Sequence, residues 1–170
     1  GSSRSTPQWL RRYPHAPVVD LRGNVNTRLR KVQENDWLGA VFAAAGLKRI
    51  DLQQHISHYL DWMLPAPAQG AVAVAIREGD TRTHNALLPI HHAPTAALTQ
   101  LERDFLNRLE GGCSAPLGAL ARLEDHFIRF DAILLTPDGQ QAYEVHDEIF
   151  LKNAEGHGKR AAEIALREGA

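Results

Sequence analysis

The stretch Val18-Val19-Asp20-Leu21-Arg22-Gly23-Asn24-Val25-Asn26-Thr27-Arg28-Leu29-Arg30-Lys31 constrains the fold most. It compresses an apolar β-branched run, a glycine turn and a cationic helix start into fourteen residues. Val18 to Leu21 suit a central strand of a covered sheet. Gly23-Asn24 supplies turn chemistry, Asn24 or Asn26 can cap the helix that follows, and Arg28 and Lys31 stand about one helical turn apart. A strand that ends in a turn and opens a helix leaves backbone N–H groups unpaired at the mouth of the sheet, where carboxylate or phosphate oxygens can sit. The plainer reading is a strand-to-helix corner with solvated arginines, and the pattern alone leaves both open.

At 170 residues the chain suits one good-sized core or two small domains. The nearly uncharged apolar runs, 40–47 and 71–76, are far too short to span a bilayer, and the first residues lack a signal-peptide core. A cytoplasmic protein without a membrane segment is therefore expected. The single cysteine, Cys113, cannot form an internal disulfide, which agrees with a reducing compartment and turns attention to the thiol itself. The net charge of −1 hides an asymmetry: residues 1–49 hold nine Lys/Arg against three Asp/Glu, a net +6, and the remainder is −7. Without interleaved aromatics or a basic stripe along a helix, that basic segment does not suit nucleic acid; a small polyanion fits better.

Along the chain, 8–13 reads as a short amphipathic helix stopped by Pro14, with Arg11 and Arg12 as a solvated face. Residues 37–46 look like a second buried strand running into a small-residue loop, and Lys48-Arg49 follow at its carboxyl end, where ligands lie in open α/β sheets. A helix over 52–60 would bring His55 and His58 to one face, but no third ligand stands at a recognised spacing, so no metal site is expected. His91-His92 would diverge on any regular element.

The proline-bounded connector 63–70 precedes an alternating strand pattern at 71–76 and can act as a hinge. A polar turn at 77–83, a short helix start at 84–88 and an amphipathic helix over 95–109 follow. Cys113 comes directly after Gly111-Gly112, which free the backbone to display a thiol; a buried small hydrophobe and, less well supported, a Cys/His nucleophile are the other readings. In the tail, strands at about 122–130, 132–136 and 141–145 and a helix at about 158–167 are expected, with Pro137-Asp138-Gly139 as a hairpin signal.

Four stretches together resemble the hydroxymethylbilane synthase (porphobilinogen deaminase) family, in its order and at its spacing: Val19 to Leu29, Ala43-Ala44-Ala45-Gly46-Leu47-Lys48-Arg49, Leu64-Pro65-Ala66-Pro67-Ala68-Gln69-Gly70-Ala71, and Leu109-Glu110-Gly111-Gly112-Cys113-Ser114-Ala115-Pro116-Leu117-Gly118. The likeness covers essentially the whole chain and is weakest in the first dozen residues and the tail.

It implies an α/β protein: a periplasmic-binding-protein-like doubly wound domain at 1–66, a hinge and a returning strand and helix of a first domain at 67–89, and a small α+β cofactor-attachment domain at 90–170. It also implies a transferase of tetrapyrrole biosynthesis that joins four porphobilinogen units head to tail on a covalent dipyrromethane, releasing ammonia each time. Cys113 would hold that dipyrromethane through a thioether. Arg22, Arg28 and Arg49 match the family's arginines for acetate and propionate side chains, Asn24 falls in the turn and Gln69 in the hinge motif. The chain departs from the family at Gly1-Ser2-Ser3-Arg4-Ser5, which keeps one arginine, Arg4, with Ser5 where a second would stand. No residue matches the family's catalytic aspartate, which lies in a first domain, so the chain alone is expected to be inactive. The partners implied are porphobilinogen and the growing polypyrrole, with neither nucleic acid nor membrane, in a monomeric full-length enzyme. A non-catalytic anion-binding module of the same fold, or one chain of a split enzyme, are the alternatives. The apolar run at 71–76, part of another sheet in the family, is expected to favour association or local disorder.

Overall fold

The computed structural model describes residues 4–110 and 116–168. It is mixed α/β, in two compact units: 1–63 with 135–141, and 64–134 with 142–170.

In the first unit, α1 (Ser5–Arg12) ends before Pro14, and Trp9 packs against Tyr13 and Trp62 with ring centroids 4.7 and 6.0 Å apart. The guanidinium of Arg12 lies 5.0 Å from the Trp62 ring, so this arginine is engaged by an aromatic face rather than merely solvated. Helix α2 (Val25–Glu34) begins where expected and is capped by Asn24. Helix α3 (Ala44–Arg49) replaces the end of the strand expected over 37–46: its alanines are the best helix formers, and Leu47 anchors it by burial.

No strand forms at 18–21, 37–43 or 71–76. A strand exists through its ladder, and the ladders among the described residues are those of the sheet at 117–150. Val72, at the alternating run, is 96% exposed. The helix expected over 52–60 is reduced to a single tight turn, Gln53–His55, because Ile56 leaves helical space at ψ 112°, and the spacing proposed for His55 and His58 is not realised.

The second unit holds the core. Asp80 caps α4 (Thr81–Leu87) through bonds from the Thr83 amide (3.0 Å) and hydroxyl (2.7 Å), so this helix starts earlier than the polar-turn reading allowed. Helix α5 (Ala93–Glu110) and helix α6 (His157–Glu168) match the amphipathic segments expected there. They cover a three-stranded antiparallel sheet in the order β1 (Leu117–Glu124), β2 (Phe127–Leu135), β3 (Ala142–Phe150).

The strand expected over 122–130 straddled a hairpin: Glu124 pairs with Phe127, and Asp125, at φ 50°, turns the chain. Pro137-Asp138-Gly139 does make the turn between β2 and β3, closed by the Gly139 amide on the Thr136 carbonyl at 2.9 Å with Gly139 at φ 72°. Alternate residues Ile128, Phe130, Ala132 and Leu134 of β2 enter one buried cluster with Leu101, Phe105 and Leu109 of α5 and Ala161, Ala162 and Ala165 of α6. Phe105 and Phe130 meet edge-on at 5.8 Å.

Candidate functional site

The corner between 20 and 31 is built by backbone needs that happen to fix cations. Gly23 takes φ +123°, a region for glycine, and a Cβ there would meet Thr27 Cγ2 at 2.8 Å, so the turn lies tight on the first helical turn. Asn24 Oδ1 accepts from the Thr27 amide at 2.9 Å, an N-cap that satisfies one of the first-turn amides. Arg28 Nε donates to the Gly23 carbonyl at 2.8 Å and Lys31 Nζ to the Arg22 carbonyl at 3.1 Å. Arg22 pairs with Asp20 at 3.3 Å in a solvent-exposed contact.

Two cations are therefore tied to the turn backbone, and the terminal guanidinium nitrogens of Arg28 have no protein partner among the described residues. That arrangement can receive a carboxylate: the charges are pre-positioned, the helix N-terminus favours an anion, and a guanidinium fork matches two carboxylate oxygens.

The structure brings Arg22, Asn24 and Arg28 together in this corner. Arg4 is exposed at the N-terminal flank of α1. Arg49 is exposed in the last turn of α3, where its charge complements the helix dipole, and makes no hydrogen bond or ion pair among the described residues. Gln69 belongs to the second unit. It is exposed on a turn in which its Oε1 accepts from the Ala66 amide at 3.1 Å. Cys113 lies outside the described residues. No group of three or more His, Cys, Asp or Glu that could hold a metal occurs among the described residues, and no described helix is long and apolar enough to cross a membrane.

Two buried carboxylates escaped the sequence reading. Glu102 stands in phase with Leu98, Phe105 and Leu109 on α5, and an acid in an apolar stripe was the signal available. Burial pushes its carboxyl above the usual range, against the opposing effect of the amides of Ala121 and Ala68 and the charge of Arg122. Asp131 interrupts the apolar run of β2. It accepts from His146 Nδ1 (2.8 Å), Arg122 Nη1 (3.2 Å) and Arg129 Nε (3.2 Å). Burial alone would raise this acid, but the His146 bond and the Arg129 charge outweigh it and hold it below the ordinary range. An open concavity of about 620 Å³ between the end of β3 and the start of α6 mixes Lys152 and Arg160 with Glu148 and Glu155, and contains none of the residues singled out from sequence.

Residues 1–85 match the family model described as porphobilinogen deaminase, dipyromethane cofactor binding domain, and 96–167 match that of the porphobilinogen deaminase C-terminal domain. The chain belongs to the porphobilinogen deaminase family. A porphobilinogen deaminase of Syntrophotalea carbinolica is 43% identical over 169 residues, covering 98% of this chain and 54% of the relative. One from Thermus thermophilus is 42% identical over 171 residues, 99% of this chain and 57% of the relative. A third, from Acidithiobacillus ferrooxidans, is 39% identical, over 99% of this chain and 55% of the relative. The chain thus spans about half the length of the curated relatives it matches. The corner falls inside the porphobilinogen deaminase segment described as cofactor-binding, and Cys113 inside the segment described as C-terminal.

Proposed function

We propose that this chain carries the cofactor and the growing pyrrole chain of a hydroxymethylbilane synthase, the cytoplasmic transferase that links four porphobilinogen units with release of ammonia. The observation that carries the reading is the corner itself. Arg28 and Lys31 are held on the Gly23 and Arg22 carbonyls at the mouth of an Asn24-capped helix, a donor set suited to a ligand bearing several carboxylates. A dipyrromethane with acetate and propionate side chains fits that donor set. Bound through a thioether to Cys113, it would supply the terminal pyrrole from which the chain of four units grows.

The residues of this chain bind and orient. Arg22, Arg28, Arg49 and Arg4 neutralise carboxylates, the Asn24-capped turn presents backbone N–H groups, and Gln69 donates its side-chain amide. No residue here is assigned the acid–base step. In this reading 1–66 forms the cofactor- and substrate-carboxylate-binding domain, 67–89 the hinge and a returning strand and helix, and 90–170 the cofactor-attachment domain. The finer reading of 1–66 is a binding-protein-like, doubly wound domain; the β-branched character of Val18 and Val19 supports it. The full-length enzyme acts as a monomer.

Intact mass of the chain made in a host that synthesises porphobilinogen tests this. A dipyrromethane-sized increment is expected, lost completely in Cys113→Ser, while the 170-residue chain by itself releases no tetrapyrrole. A bare thiol in the wild-type protein overturns the assignment.

A further inference from the structure

Glu102 lies far outside the corner in sequence, and its burial demands a reason. The residue is 4% exposed on α5, yet both carboxylate oxygens are used. Oε1 accepts from the Ala121 amide of β1 at 2.7 Å and Oε2 from the Ala68 amide of the connector at 2.5 Å. The connector is held to β1 a second time, where the Ala119 amide donates to the Pro65 carbonyl at 3.0 Å. Gly118 permits that approach, since a Cβ there would come within 2.8 Å of Leu64 Cβ and 3.0 Å of the Leu64 carbonyl oxygen.

Beyond Pro67 the chain turns through left-handed space, with Ala68 at φ 57° and Gly70 at φ 92°. An alanine seldom takes that conformation unless its surroundings impose it. Within the turn the Gln69 amide donates to the Ala66 carbonyl at 3.0 Å, and the Gln69 side-chain oxygen accepts from the Ala66 amide. The side-chain N–H groups of Gln69 meet no hydrogen-bond partner among the described residues, so the turn presents them as donors.

We propose that Glu102 is a positioning residue: by gripping the Ala68 and Ala121 amides at once, its carboxylate locks the 65–70 connector onto β1 and fixes the Gln69 amide as a donor to a ligand carboxylate, an assignment resting on the cofactor- and substrate-carrying reading above. Only a carboxylate answers both N–H groups. A glutamine would offer one acceptor and set its own N–H against the second amide. An apolar side chain of similar volume would leave the buried Ala121 amide and the part-buried Ala68 amide without acceptors.

The test is residue-resolved amide exchange on wild type, Glu102→Gln and Glu102→Leu, the last keeping the packed volume. In both variants the amides of Ala68 and Gln69 are expected to exchange at least roughly tenfold faster, while those of Phe130 and Ala132 in β2 change less than about threefold. In the wild type the amide proton shifts of Ala68 and Ala121 are expected to titrate together with one apparent pKa, a signature absent from both variants. Unaltered exchange at Ala68 and Gln69, an equal rise at every amide, or separate titration of the two amides overturns the proposal. Failure of the cofactor-carrying reading appears elsewhere, as a bare Cys113 thiol in wild-type protein, and leaves these amide readouts unaffected.

Discussion

Between Leu101 and Ala165, α5, α6 and all three strands contribute to one buried cluster, whereas between Arg4 and Met63 the buried apolar residues described are Pro7 and Leu47. The first unit instead spends its side chains on backbone: Asn24, Arg28 and Lys31 all bond main-chain groups within the 20–31 corner. The difference teaches a division of labour. Burial of area sets stability, and the second unit has it; short polar bonds set direction, and the corner has those with little core beneath it. Substitutions in the second unit should therefore read out as unfolding, and substitutions in the corner as lost binding with the fold intact.

The largest expected effect is at Gly158. Helix propensity alone predicts that alanine stabilises α6 there by about 1 kcal/mol. The contact with α5 predicts the reverse, because a Cβ would run into the Leu101 carbonyl oxygen and come within 3.0 Å of the Phe105 amide nitrogen. Backbone atoms cannot swing aside as a flexible side chain can, so Gly158→Ala is expected to destabilise the second unit by about 1–3 kcal/mol. Urea unfolding followed by circular dichroism measures it, and a stabilised variant would break the claim that close packing, not propensity, governs this unit.

The corner supplies the contrasting case. Arg28→Met keeps the aliphatic stem and removes the fork, so affinity for porphobilinogen, titrated by calorimetry, is expected to fall roughly tenfold, about 1.4 kcal/mol, while the unfolding midpoint stays where it was. Arg28→Lys should recover part of that loss, because it restores the charge without the planar geometry. A midpoint that drops along with affinity would show the corner to be structural.

The same contrast explains what was legible in the sequence. Helices α5 and α6 and the Pro137-Asp138-Gly139 turn were readable because their signals are local: a 3.6-residue apolar period, and turn residues at fixed offsets. Val18 to Leu21 and Val72 to Ile76 carry equally strong strand chemistry, yet a strand also needs a neighbour, which no local pattern supplies. The Arg22–Asn24–Arg28 grouping was legible because one helical turn places it. Glu102 and Asp131 were not, since their partners are an amide 34 residues away in one case and a histidine 15 residues away in the other. Each stood in the sequence only as an acid out of place in an apolar pattern.

The smallest expected effect is the pH dependence of the second unit, and it comes from Asp131 and His146. The hydrogen bond from Asp131 raises His146 above its ordinary 6.5, against the opposing effect of partial burial, with Glu144 adding to the rise. The folded protein therefore binds more protons than the unfolded chain between 6.5 and the raised value, and this contribution, complete below 6.5, is lost as pH climbs through that window. Asp131, held below its ordinary 3.8, contributes in the opposite sense: fully above 3.8, and lost as pH falls through its lowered value. Both shifts describe one interaction and are counted once. The His146 side chain is 61% exposed, so solvent screens the pair and the change between pH 6 and 8 is expected to stay below about 1 kcal/mol. Thermal unfolding across that range should show the decline in the wild type and a flatter profile in His146→Gln, which can still donate a neutral hydrogen bond but cannot carry charge. An identical slope in the two proteins would assign the pH dependence to some other group and leave Asp131 held by Arg122 and Arg129 alone.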